Sequence, residues 1–313
     1  MSISILGGGA FGTALAISLS RDGRPVTLWA RDTSAMQGEN TRRLPGHAFP
    51  ASLRVTDDLA LAAHAETLLI ATPMQQLAGF LAEKQTLFRR KTLVACCKGV
   101  DLTTGLGPAE IISRTVPSAI PAILSGPSFA VDIAAGLPTA LTLAVKDGKA
   151  LQAELSTANL RLYRSNDLVG VELGGALKNV VAIACGIAMG TGLGESARAA
   201  LMTRGYAEMQ RFAALKGAQP NTLAGLSGFG DLALTCTSEK SRNYAFGLAL
   251  GRGITPHSGT TVEGKATAKA VSNTAKIAEI DMPIADMVVA VIDQHITIGE
   301  AAEMLLSRPL KEE

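Results

Sequence analysis

The sequence is short of rings and short of charge. Aromatic residues make up 4% of the chain, with Trp29 as the single tryptophan, and charged residues make up 18%. So few rings leave no stacking platform for nucleic-acid bases. Lys and Arg number 29 against 27 Asp and Glu, with no basic stripe to meet a polyanion, so no nucleic-acid partner is expected. A small anionic ligand stays open, because it needs only a few local cations. The 47% share of hydrophobic residues excludes a disordered chain. Cysteine is scarce as well. Cys96, Cys97, Cys185 and Cys236 form no C-x-x-C pair, and neither they nor the isolated His47, His64, His257 and His295 carry metal-site spacing. They read as the reduced thiols of a cytoplasmic protein. Membrane-type runs are missing too. Residues 1–20 carry no charged side chain but have no basic leader and are broken by Gly7, Gly8, Gly9 and Gly12, and residues 179–194 are short of a span. The chain is expected to be soluble, without stable membrane insertion.

What the chain does have is glycine, 32 of 313 residues, about a tenth where roughly 7% is usual. The length predicts about two domains at roughly 150 residues each. Short apolar runs at 2–6, 26–30, 68–71, 93–96 and 120–124 read as buried strands, with helix-length segments at 13–21, 74–84 and 107–114 between them. Alternation of this kind predicts an α/β, Rossmann-type parallel sheet with helices on both faces over residues 1–170, extended by strands at 139–145 and 160–164. Beyond it, residues 174–189, 196–216, 241–252 and 265–277 carry helical spacing and strand signals vanish. Residues 171–313 are therefore expected to form an all-α domain, the half assigned to substrate and catalysis once the motifs below are read.

The chemistry starts at Gly7-Gly8-Gly9-Ala10-Phe11-Gly12, a G-x-G-x-x-G run after a strand and at the opening of a helix. Gly7 permits the tight turn, Gly9 lets a pyrophosphate approach the backbone, and Gly12 lets helix and strand pack closely. The helix N-terminus then offers N–H donors to phosphate. At the end of the second strand, where an acid usually meets the ribose of NAD, the chain reads Trp29-Ala30-Arg31-Asp32. Arg31 favours NADP(H) without excluding NAD(H); a solvated surface arginine is the other reading.

Ligands in open α/β sheets sit outside the carboxyl ends of strands. Lys98 follows one such strand, and Gly126-Pro127-Ser128-Phe129 follows another, with Ser128 expected to cap the helix 129–135. Lys98 as an ordinary surface lysine stays open. In the helical half, Lys178 lies among Leu173-Gly174-Gly175-Ala176-Leu177 and Val180-Val181-Ala182. Desolvation there lowers a lysine pKa and makes it a usable proton donor and acceptor, unless the head snorkels to water. Asp231, after Gly228-Phe229-Gly230, is placed to brace a lysine or a substrate hydroxyl, or is an ordinary turn aspartate. Ser241-Arg242-Asn243 offers a hydroxyl, a guanidinium fork and an amide suited to phosphate, or plain capping by Ser241.

Taken together, the strings GGGAFGTALA, NTRRLPGHAFP, LSGPSFAVDIAAGLPTA, GVELGGALKNVVAIACGI, ARAALMTRGYAEM, GDLALTCTSEKSRN and TVEGKATAKAV are distinctive. The chain resembles the bacterial NAD(P)-dependent glycerol-3-phosphate dehydrogenases along nearly its whole length. The resemblance implies reduction of dihydroxyacetone phosphate to sn-glycerol 3-phosphate for phospholipid synthesis, with NADP(H) or NAD(H). It implies Lys178 as the catalytic proton acceptor and Lys98 as a lysine shared by cofactor and substrate. Gly126, Ser128, Asp231, Ser241, Arg242 and Asn243 match substrate positions, and Phe11, Arg31, Ala130, Arg242 and Glu263 match cofactor contacts. A homodimer is left open. The chain departs from the family's usual residues at Phe11, Arg43, Met189 and Glu195-Ser196, none of them assigned to catalysis. The rival readings are a β-hydroxyacid dehydrogenase or ketopantoate reductase type of the same architecture, and a dinucleotide-binding sensor that turns nothing over.

Overall fold

The computed structural model describes residues 2–255 and 262–307; His257 and Thr261 lie outside the described residues. The first half winds around an eight-stranded sheet. Its strands are β1 (Ile3–Leu6), β2 (Val26–Trp29), β5 (Leu53–Thr56), β6 (Thr67–Ile70), β7 (Thr92–Ala95), β8 (Ile120–Ser125), β9 (Thr139–Ala144) and β10 (Leu160–Ser165). The order across the sheet is β10-β9-β8-β7-β6-β1-β2-β5. From β1 the chain runs one way through β2 to β5, then returns to lay β6, β7 and β8 on the other side. This reversal opens a crevice at the carboxyl end of β1, where such sheets bind their ligands.

Successive side chains on each strand point to opposite faces, and both faces are buried. On one face Ile3, Ile5, Leu28, Leu69, Val94 and Leu124 pack with α1 (Ala10–Ser20) and α5 (Ala130–Ala135). On the other, Leu6, Trp29, Leu68, Ile70 and Leu93 pack with α2 (Leu59–Ala62), α3 (Met74–Glu83) and α4 (Pro108–Thr115). Double burial explains why these strands read as continuous apolar runs.

The sheet is mostly parallel, as expected, with one antiparallel pairing. β9 runs antiparallel to β8, with Leu124 opposite Leu143, and β10 is parallel to β9. The turn through α5 returns the chain directly, with no crossover helix to carry it round. β5 and a small antiparallel pair, β3 (Glu39–Asn40) with β4 (Leu44–Ala48), were not evident from the sequence, because neither segment carries a clean apolar run.

After α6 (Lys149–Leu155) and β10, the described residues are helical: α7 (Leu168–Gly190), α8 (Gly194–Leu215), α9 (Pro220–Ala224), α10 (Asp231–Cys236), α11 (Arg242–Gly251), α12 (Glu263–Ile277), α13 (Pro283–Ile292) and α14 (Ile298–Leu306). α7 is longer than the spacing predicted, reaching back to Leu168, with Val171 in the core beneath the sheet. By length and composition it passes for a membrane span, but most of it is buried, which is how a central core helix behaves. α8, α10, α11 and α12 surround it.

α7 and α11 meet on a glycine seam. A methyl at Gly247 would lie 2.1 Å from the Ile183 carbonyl oxygen, and one at Gly186 would lie 2.2 Å from that of Tyr244. Backbones this close leave no room for a side chain. Gly247→Ala is expected to lower stability by about 1–3 kcal/mol through overpacking. Gly79→Ala, on α3, has open space around the added methyl and is expected to gain up to about 1 kcal/mol from helix propensity. Urea unfolding of both variants measures the contrast; equal effects would overturn the seam argument.

Candidate functional site

The glycine loop has the shape the motif requires. Gly7 takes φ +133°, and a side chain there would meet the Ala71 carbonyl at 2.7 Å. A methyl at Gly12 would strike the Gly7 carbonyl at 2.1 Å. Gly9 is different. It is the N-cap of α1, is exposed, and has nothing within 4 Å of the place a side chain would occupy. The open space at Gly9, with the N–H groups of Ala10, Phe11 and Gly12 at a helix start that has no intrahelical acceptors for them, fits a pyrophosphate. Asn40, a residue the sequence reading passed over, braces this loop: its amide donates to the Gly8 carbonyl at 3.0 Å and to Thr13 at 2.9 Å. The small β3–β4 pair thus serves to hold the phosphate cradle.

Beside the cradle, the end of β2 presents Arg31 exposed. Asp32 is turned to its own loop. One carboxylate oxygen accepts from the Ser34 backbone and hydroxyl, and the other from Arg42 at 2.8 Å. The hydrogen bonds from Ser34, joined by Arg42, hold this carboxyl well below the usual range.

The second cluster gathers at the strand ends. Lys98 leaves the loop after β7, and its ammonium donates to Asp231 Oδ2 at 2.5 Å and to the Gly126 carbonyl at 3.2 Å. From α7, Lys178 donates to Asp231 Oδ1 and to Thr235 Oγ1, both at 2.6 Å. Asp231 is 1% exposed and Lys178 7% exposed, which disposes of the snorkelling alternative. Burial pulls the Lys178 pKa from 10.5 down to about 8; Asp231 opposes that shift and Lys98 adds to it. Thr235 was missed by sequence reasoning. The available signal was its spacing, four residues after Asp231 and so on the same helix face.

Two local features bring these groups together. The turn before Asp231, Leu226–Gly230, is a single π-helical turn rather than a simple glycine turn. It lies so close to α7 that a methyl at Gly174 would meet the Ser227 carbonyl at 2.5 Å. One residue on, Gly175 leaves room for the Ser125 hydroxyl at the end of β8. The Leu173-Gly174-Gly175 run therefore lets the sheet end and the π-turn both reach α7 one turn before Lys178.

The third group is the start of α11. Ser241 is its N-cap, accepting from the Tyr244 N–H at 3.2 Å, as the capping alternative required. Asn243 is buried and pinned: it donates to Asn179 at 2.9 Å and accepts from the Gly264 N–H at 3.0 Å. Arg242, between them, is exposed. Glu263 starts α12; burial raises its pKa, and Arg242, Lys98 and Lys178 pull it back, so all three cations bear on one carboxyl. Ser128 is corrected. α5 begins at Ala130 with Phe129 as N-cap and no side-chain capping bond, and the Ser128 hydroxyl turns instead to the Gly126 carbonyl at 3.4 Å. No cluster of His, Cys, Asp and Glu able to hold a metal occurs among the described residues.

Residues 2–151 match the family model for the NAD-dependent glycerol-3-phosphate dehydrogenase N-terminus, and residues 167–303 that for its C-terminus. A glycerol-3-phosphate dehydrogenase [NAD(P)+] of Ruegeria sp. (strain TM1040) is 59% identical, covering 100% of each chain. A crystal structure of glycerol-3-phosphate dehydrogenase from Coxiella burnetii superposes with TM-score 0.93 at 36% identity, covering 98% of this chain and 99% of that one. A ketopantoate reductase from Ralstonia eutropha shares the fold alone, with TM-score 0.59 and 12% identity over 94% of this chain and 98% of that one. The chain belongs to the NAD-dependent glycerol-3-phosphate dehydrogenase family.

Proposed function

We propose that this protein interconverts dihydroxyacetone phosphate and sn-glycerol 3-phosphate with NADP(H) or NAD(H), in the cytoplasm, and feeds glycerol 3-phosphate to phospholipid synthesis. The observation that carries the reading is the convergence of Lys98 and Lys178, one from each half of the chain, on the buried Asp231. Residues 1–170 are assigned to the dinucleotide and 171–313 to the substrate and the proton. Gly7, Gly9, Ala10, Phe11 and Gly12 hold the pyrophosphate, Arg31 the adenosine ribose, and Ala130, Arg242 and Glu263 complete the cofactor site.

The dinucleotide, when bound, supplies the hydride. Lys178 supplies the proton, which goes to the carbonyl oxygen of the substrate and leaves an alcohol; in the reverse direction the neutral amine accepts it. Burial places the ammonium near pH 8, close to the range in which one group can both give and take a proton. Asp231 and Thr235 aim the amine. Lys98, Gly126, Ser128, Ser241, Arg242 and Asn243 gather about the substrate's phosphate and hydroxyls. Assay of NADPH and NADH oxidation with dihydroxyacetone phosphate, against pyruvate and ketopantoate, tests the reading; activity on a carboxylate alone would favour the ketopantoate reductase type.

Lys178→Met is expected to fold with lowered stability, because one oxygen of the buried Asp231 loses its cation, to keep cofactor binding, and to lower kcat by about 10²–10⁴-fold, the usual contribution of a general acid. Near-normal turnover would remove Lys178 from the chemistry. The pH profile follows from the same residue. Ketone reduction needs the ammonium, so its rate is full below about pH 8 and falls as pH rises through it; alcohol oxidation needs the free amine and rises over that interval. Profiles in both directions check the sign. Arg31→Ala is expected to raise the KM for NADPH about tenfold while barely moving that for NADH. A guanidinium gains about 1.5–3 kcal/mol from a phosphate and little from a bare hydroxyl. Equal losses with both cofactors would make Arg31 structural.

A further inference from the structure

We propose that Lys240 is a positioning residue for the dinucleotide, tying the start of α11 to α5 across the rim of the cleft and so holding Arg242 at the cofactor. The inference rests on the cofactor site proposed above. Lys240 lies two residues before Arg242, in a turn where its own N–H donates to the Ser238 hydroxyl and the Ser241 N–H to the Ser238 carbonyl. Its ammonium crosses to the other half of the molecule, 3.1 Å from Asp132 Oδ1 and 5.7 Å from the centre of the Phe129 ring. Asp132 and Phe129 flank Ala130 at the start of α5. α5 in turn packs against α1, the helix whose N-terminus forms the proposed phosphate cradle, and Arg21, at the C-cap of α1, donates to the Ala134 carbonyl.

The start of α11 is thus fixed on two sides. On its inner side Asn243 is locked to Asn179 of α7 and to the Gly264 N–H of α12. On its outer side Lys240 reaches the sheet domain. Without that second attachment, Arg242 rides on a helix anchored only to the helical half. Lys240 also neutralises Asp132, an acid in the first turn of a helix beside the site for a pyrophosphate. Exposure sets the scale: the two side chains are 57% and 31% exposed, and such pairs are weak and screened by salt.

The test is steady-state kinetics of the full chain with NADPH as the varied ligand, at low and high salt. Lys240→Met is expected to raise the KM for NADPH about two- to fivefold with kcat unchanged, and to weaken its dependence on salt. Asp132→Asn should do the same, the double variant should be no worse than the worse single, and Lys240→Arg should keep the wild-type KM. An unchanged KM in Lys240→Met, multiplying effects in the double variant, or a fall in kcat instead would overturn the proposal. Arg242→Ala separates the two levels. If it raises the KM for NADPH while Lys240→Met does not, the tie fails and the cofactor site stands. If neither moves it, the cofactor site fails and the tie with it. Thermal melts of each variant confirm that the fold is kept.

Discussion

The arrangement of this molecule turns on one carboxylate shared by two lysines. Asp231 is buried, and its two oxygens are divided between Lys98 from the sheet domain and Lys178 from α7. A buried charge is tolerated only when paired and hydrogen-bonded, and losing one member of such a pair typically costs about 3–5 kcal/mol. The two lysines therefore cannot separate without stranding charge in the interior. The proposed catalytic centre and the junction between the halves are the same interaction. The π-turn at 226–230 follows from this need, since it carries the backbone onto α7 at Gly174 and delivers Asp231 facing inward. Single π-turns of this kind gather at functional sites because they re-aim one side chain without ending the helix.

Desolvation does chemical work here because it is unequal. Asp231 gives one oxygen to each lysine, but Lys178 is buried almost completely, whereas the Lys98 side chain is 16% exposed. Burial alone would push Lys178 further down; Asp231 holds it near 8 and Lys98 opposes that hold. In the proposed mechanism the more buried lysine transfers the proton and the more exposed one serves cofactor and substrate. The assignment of the two roles follows from environment, since the residues are chemically alike.

Much of this was legible in the sequence, for identifiable reasons. The strands of the sheet are buried on both faces, so each shows as an apolar run between polar or glycine punctuation. The glycine loop could be read because its three functions each exclude a side chain. Lys178 stood out by contrast with its apolar neighbours. What escaped depends on contacts that spacing does not report. β5 is half-polar at the sheet edge, Asn40 acts from a two-residue strand, and Thr235 matters only once Lys178 is seen to donate to it. Ser128 was misread because a serine before a helix is a common cap, yet here the chain enters α5 one residue later and the hydroxyl turns to Gly126. The Ser241 position carried the same signal and does cap its helix.

Fold alone does not select a substrate, as the shared architecture with a ketopantoate reductase demonstrates. Local charge arithmetic does more. Lys98, Lys178 and Arg242 bring three positive charges to bear near Asp231 and Glu263. With both acids ionised the excess is one positive charge; burial raises the pKa of Glu263 while the three cations pull it back. That excess favours an anionic substrate over a neutral one. The proposed substrate answers that excess with its phosphate and brings a carbonyl within reach of a single buried amine.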